Sequence, residues 1–167
     1  MLMLITQLDL NNKKVLLRVD FNVPINKNLE VTDNTRIKLS IKTILYVIKK
    51  GGVCILISHM GRPKNGYEKN LSLKNIVGEL QSLLNKKIIF VNDCIGYNAK
   101  KVCQGSKKGE IILLENLRFY SQEELGDVSF AKSLSVLGDI YINDAFGTAH
   151  RNHASTGILP GFLKEKK

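Results

Sequence analysis

The chain has 167 residues, 44% of them hydrophobic, 7% aromatic and none Trp, which suffices for one domain with a real core and leaves no room for a second. Its formal net charge of +10 raises nucleic acid as a partner, but only five of the 25 basic residues are Arg; the rest are Lys in singles and pairs such as Lys49-Lys50 and Lys86-Lys87, so solvated faces explain the charge and no nucleic-acid partner is expected. Cys54, Cys94 and Cys103 lack zinc-site or disulfide spacing, no stretch has the roughly 18 apolar residues of a membrane span, and the first six residues lack the basic flank of a signal peptide, so a soluble cytoplasmic protein with reduced thiols is expected.

Lys14-Val15-Leu16-Leu17-Arg18-Val19 is an apolar, β-branched run of strand length, followed by Asp20-Phe21-Asn22-Val23-Pro24. Pro24 cannot donate to a central ladder, so the strand stops before it. Thr32-Asp33 offers a helix cap, and Ile37, Ile41, Ile44, Leu45 and Ile48 keep helical spacing until Gly51-Gly52. Arg36 falls in that helix's first turn, where a cation opposes the helix dipole; a structural helix gains nothing from it, whereas an anion site would use it. Val53-Cys54-Ile55-Leu56-Ile57 is a second strand, with Ser58-His59-Met60-Gly61-Arg62-Pro63 at its carboxyl end. Ser72 then caps a helix with Leu73, Ile76, Val77, Leu80, Leu83 and Leu84 on one face.

The third strand, Lys87-Ile88-Ile89-Phe90-Val91, ends at Asn92-Asp93-Cys94, and a weaker helix follows over residues 98–103. The fourth, Glu110-Ile111-Ile112-Leu113-Leu114, ends at Glu115-Asn116-Leu117-Arg118-Phe119. Asp127 begins a helix carrying Phe130, Ala131, Leu134 and Leu137, closed by Gly138. The fifth strand, Asp139-Ile140-Tyr141-Ile142, leads into a polar cluster, Asn143-Asp144-Ala145-Phe146-Gly147-Thr148-Ala149-His150-Arg151-Asn152-His153.

Short apolar strands alternating with helices imply βαβ units, hence a single-domain α/β fold: a Rossmann-like three-layer parallel β-sheet flanked by helices. Right-handed crossovers put every strand's carboxyl end on one edge, where open α/β sheets bind ligands. Asp20, Asn22, His59, Arg62, Arg118 and Arg151 should then face one crevice, with Arg36 beside them. Four guanidiniums and an imidazole, with one carboxylate and one amide, suit a small polyanion that also carries hydroxyls. The plainer alternative is that each Arg pairs with a neighbouring acid.

Other chemistries are not supported. No Walker-type loop and no GxGxxG is present, so no nucleotide site is visible. His59, His150 and His153 lack metal-ligand spacing, and no metal site is expected. Ser58 and His59, as strand neighbours, point to opposite faces and cannot work as nucleophile and base.

The four stretches 19–24, 58–63, 113–119 and 143–151 resemble, in order and spacing, the amino-terminal domain of the phosphoglycerate kinases, over about residues 5–157. The resemblance implies a phosphotransferase of glycolysis, in which 1,3-bisphosphoglycerate and ADP give 3-phosphoglycerate and ATP. By motif, Asp20 and Asn22 would bond the substrate's hydroxyl region, and His59, Arg62, Arg118 and Arg151 would hold the phosphate that is not transferred. Arg36 would sit at the carboxylate end and stabilise charge on the moving phosphoryl group, the catalytic role in this chain. His153 would be a secondary member of the basic patch.

Family members have a second, carboxyl-terminal domain that supplies the nucleotide site and the magnesium ligand, and no such region is visible here. The division expected is 1–157 for the substrate-binding domain and 158–167 for a truncated start of the interdomain segment. A monomer binding 3-phosphoglycerate or 1,3-bisphosphoglycerate follows, needing a nucleotide-binding domain for turnover, with ATP/ADP and magnesium belonging to the complete enzyme. The alternative is a non-catalytic remnant or interaction module.

Overall fold

Five short apolar strands form an all-parallel sheet in the computed structural model, which describes residues 5–64, 66–145, 147 and 152–163. The strands are β1 (Lys14–Arg18), β2 (Val53–Ile57), β3 (Ile88–Val91), β4 (Ile111–Leu114) and β5 (Ile140–Asn143), in the order β3-β4-β2-β1-β5. Leu17 lies opposite Leu56 on one side and Ile142 on the other.

Both faces of the sheet are buried, as parallel strands require. Val15, Leu17, Cys54, Leu56, Ile111 and Leu113 face α1 (Thr35–Lys49) and α2 (Val77–Leu84), which bury Ile37, Ile44, Val47, Leu80 and Leu84 against them. Leu16, Ile55, Ile57, Ile112 and Leu114 face the other way. That side is covered by α3 (Tyr97–Gln104), by α5 (Val128–Ser135) after the single turn α4 (Ser121–Glu124), and by residues 154–163 through Ala154, Leu159 and Leu163. Each fully buried Leu or Ile contributes about 1.5–3 kcal/mol relative to exposure, so these two apolar layers hold the fold.

Helix ends follow local chemistry. Asp33 Oδ1 accepts from the Thr35 amide at 2.9 Å and from the Thr35 hydroxyl at 2.6 Å, so α1 starts at Thr35, just beyond the cap expected at Thr32-Asp33. Gly51, at φ 83°, closes the helix by donating to the Ile48 carbonyl. Ser72 caps a 3₁₀ turn over Leu73–Ile76 that runs on into α2. Asp127 Oδ1 accepts from the Phe130 amide at 2.7 Å and caps α5. Gly138 does not close α5, contrary to expectation: the helix ends at Ser135 and is capped by Val136. A Cβ on Gly138 would stand 2.8 Å from Leu16 Cγ and 3.0 Å from the Lys14 carbonyl, so glycine is needed where the chain passes β1.

Candidate functional site

The strand order decides which loops meet. With β2 between β4 and β1, and β5 on the far side of β1, the carboxyl ends of four strands adjoin. They enclose a crevice of about 420 Å³ lined by Asp20, Asn22, Arg36, His59, Gly61, Arg62, Arg118 and Gly147. Asp20 and Asn22 follow β1, His59 to Arg62 follow β2, Arg118 follows β4, Gly147 follows β5, and Arg36 comes from the first turn of α1. Arg151 lies outside the described residues, as do His150, Phe146, Thr148 and Ala149. His153 is half-buried and does not line the crevice. Because β3 is an edge strand, its tail opens instead into a separate hollow, where Asn92 and Asp93 meet Tyr67, Phe119 and Tyr120.

Buried amides and hydroxyls tie the loops together. Ser58, fully buried, accepts from the Phe21 amide at 2.9 Å and donates to the Val19 carbonyl at 2.8 Å, so its hydroxyl fixes the β1 loop and is no nucleophile. Asn116, also fully buried, accepts from the amides of Met60 and Arg118 at 3.2 and 3.0 Å. Its Nδ2 donates to the carbonyls of Met60 at 2.8 Å and Leu71 at 2.9 Å. Every donor and acceptor site of that amide is used, and the β2 and β4 loops are held in one relative position. Glu115 anchors the same region by accepting from Ser72 Oγ at 2.6 Å, from the Leu73 amide at 2.9 Å and from the Asn116 amide at 2.7 Å.

The lining groups are placed with equal definition. Gly61, at φ 59°, donates to Asn22 Oδ1 at 2.8 Å and accepts from Arg118 Nη1 at 2.7 Å. Arg118 is buried and its Nε lies 3.2 Å from Glu124 Oε1. Arg36 Nη1 lies 2.8 Å from Asp20 Oδ2, which gives the first-turn cation the counter-charge that the helix dipole does not. Arg62 is exposed and has no hydrogen bond or ion pair among the described residues.

Arg18, the one Arg that the sequence did not point to the crevice, is 1% exposed at the end of β1. It donates to Ser155 Oγ at 3.1 Å, to the Val19 carbonyl, and to His59 Nδ1 at 3.0 Å. Ser155 in turn donates its hydroxyl and its amide to the buried carboxylate of Glu123, at 2.5 and 3.0 Å. Burial works against the Arg18 charge, and Glu123 counters it. A signal for Arg18 did exist: a cation inside a strand buried on both faces cannot reach water and must have buried partners. Nothing comparable marked Glu123 or Ser155.

Other ionisable groups are turned away from such chemistry. Burial pushes the Cys54 and Cys94 thiols up and Cys103 to about 12, so none supplies a thiolate near neutrality. Burial also raises the Asp144 carboxyl, against the opposing pull of the Thr43 and Ser40 side chains on α1.

Three guanidiniums and an imidazole thus surround one carboxylate, itself paired. That set suits an anion rather than a magnesium ion, which takes carboxylate and phosphate oxygens. The sequence matches the family profile described as Phosphoglycerate kinase over residues 5–166. The chain belongs to the phosphoglycerate kinase family. The phosphoglycerate kinase of Moorella thermoacetica is 50% identical, in an alignment covering 96% of this chain and 42% of the relative. That of Wolbachia pipientis wMel is 52% identical, covering 93% of this chain and 38% of the relative. The structure of phosphoglycerate kinase from Coxiella burnetii superposes with a TM-score of 0.84 at 35% identity, covering 96% of this chain and 39% of that one. This member therefore spans about two fifths of the length of the family relatives it matches. Its parallel sheet is that of the family's amino-terminal part.

Proposed function

We propose that the crevice binds 3-phosphoglycerate, and that the chain is the substrate-binding half of a phosphoglycerate kinase. The observation that carries this reading is the convergence of Arg36, His59, Arg62 and Arg118 with Asp20 and Asn22 at one sheet edge. Guanidiniums grip phosphate or carboxylate oxygens with paired bonds, while Asp20 and Asn22 offer an acceptor and an amide for a hydroxyl between the ligand's two charged ends. In this reading His59, Arg62, Arg118 and Arg151 hold the phosphate that stays, and Arg36 lies at the carboxylate end, where the phosphoryl group of 1,3-bisphosphoglycerate moves. The nucleotide and its magnesium are assigned to the remainder of the relatives' length, and turnover to an assembly containing it. In this reading the substrate-binding domain runs past residue 157 to include Leu159 and Leu163, which are buried against its sheet, and the protein is a cytoplasmic monomer.

Calorimetric titration with 3-phosphoglycerate, with inorganic sulfate as the control for a generic anion patch, tests the reading. Saturable binding well above sulfate supports it; equal or absent heats on a folded chain overturn it in favour of a non-catalytic remnant.

A further inference from the structure

We infer that Arg18 is a positioning residue for His59, fixing the tautomer in which Nε2 carries the proton and so giving the crevice a neutral, directional hydrogen-bond donor. The role for the ligand rests on the reading above; the tautomer itself does not. A guanidinium has donors and no acceptor. At 3.0 Å from Arg18 Nη2, the His59 Nδ1 atom must therefore accept, and a proton there would set one N–H against another between side chains that are 1% and 4% exposed. The imidazole proton is left for Nε2, across the ring, on the residue that lines the crevice.

The guanidinium cannot turn away from this task. A carboxylate only accepts, so the Ser155 hydroxyl must point its proton at Glu123 and its lone pair at Arg18 Nε. The third side of the fork is engaged by the Val19 carbonyl. Hydrogen bonds thus run in one sense from Arg18 to Ser155 to Glu123, and from Arg18 to His59, through four buried side chains. Two consequences follow for the crevice. His59 adds no further positive charge to that of the guanidiniums, and its donor direction is set before a ligand arrives.

The test is the imidazole nitrogen spectrum of the ¹⁵N-labelled full chain at neutral pH, without ligand. His59→Gln assigns the signal among the three histidines. The expected result is an unprotonated Nδ1 and a protonated Nε2 for His59. A proton on Nδ1, or on both nitrogens, overturns the inference. In Arg18→Lys, whose ammonium cannot reach Ser155 and His59 together, the fixed tautomer should give way to a mixture, and 3-phosphoglycerate affinity should fall about tenfold. Retention of one Nε2–H tautomer in the folded variant would overturn the role of Arg18. If Arg18→Lys does not fold, the wild-type spectrum still decides. A wild-type chain with the expected tautomer but no 3-phosphoglycerate binding supports the positioning role and overturns the ligand assignment, so the two failures are told apart.

Discussion

Arg36 and Asp20 join the first turn of α1 to the loop after β1 through a 2.8 Å contact, with side chains 51% and 23% exposed. At that exposure the pair contributes at most about 1 kcal/mol to stability, so its importance lies in restraining Arg36 against anions. Asp20→Asn should bind inorganic sulfate more tightly than the parent, while the preference for 3-phosphoglycerate over sulfate narrows and the thermal midpoint barely moves. Titrations of both ligands read this directly; unchanged sulfate affinity would mean that Asp20 does not hold Arg36 back.

Arg62 should matter to binding and not to the fold. It is exposed and has no ion pair among the described residues, so Arg62→Ala should melt with the parent. Losing charge-assisted bonds of roughly 1.5–3 kcal/mol should weaken 3-phosphoglycerate by about 10- to 150-fold. Arg36→Ala should lose affinity in the same range. Calorimetry beside a thermal melt separates the two effects, and intact affinity in both variants would remove the crevice as the ligand site.

Asn116 should show the opposite balance. Replacing it with Ala leaves the amides of Met60 and Arg118 and the carbonyls of Met60 and Leu71 without their side-chain partner. Several unsatisfied buried groups at about 1–3 kcal/mol each predict a loss of roughly 3–5 kcal/mol in urea unfolding, with weakened ligand binding as the β2 and β4 loops separate. A loss below about 1 kcal/mol would show that those loops are held by other means.

Gly138→Ala tests the packing of the strand edge. The added methyl would meet Leu16 Cγ at 2.8 Å and backbone oxygen of Lys14 at 3.0 Å. Overpacking of this kind costs about 1–3 kcal/mol, and the melt should fall accordingly. Were Gly138 merely a helix terminator, the substitution would have left α5, already ended at Ser135, essentially unaffected.

Much of this arrangement was legible from residue order. Strand runs such as Val53-Cys54-Ile55-Leu56-Ile57, the caps at Ser72 and Asp127 and the glycine stop at Gly51 are local events, decided by side chains within a few positions of one another. The convergence of Asp20, His59, Arg62 and Arg118 was legible too, because right-handed crossovers leave a parallel sheet no other edge for its strand ends. The alternative of each Arg pairing with its own acid holds only in part. Arg36 has Asp20 and Arg118 has Glu124, yet both still line the crevice.

Propensity, capping and crossover handedness act locally or by a general rule, so residue order sets the elements, their alternation and the edge at which the basic residues gather. Long-range packing sets the strand order that sends the β3 tail into a hollow of its own, and the close approach that reserves Gly138 for glycine. It also sets the place of Arg18. In a strand buried on both faces the apolar pattern no longer alternates, so nothing in Leu16-Leu17-Arg18 says which face the guanidinium takes. Its partners, Ser155 at 137 positions away and His59 at 41, are brought to it by folding alone.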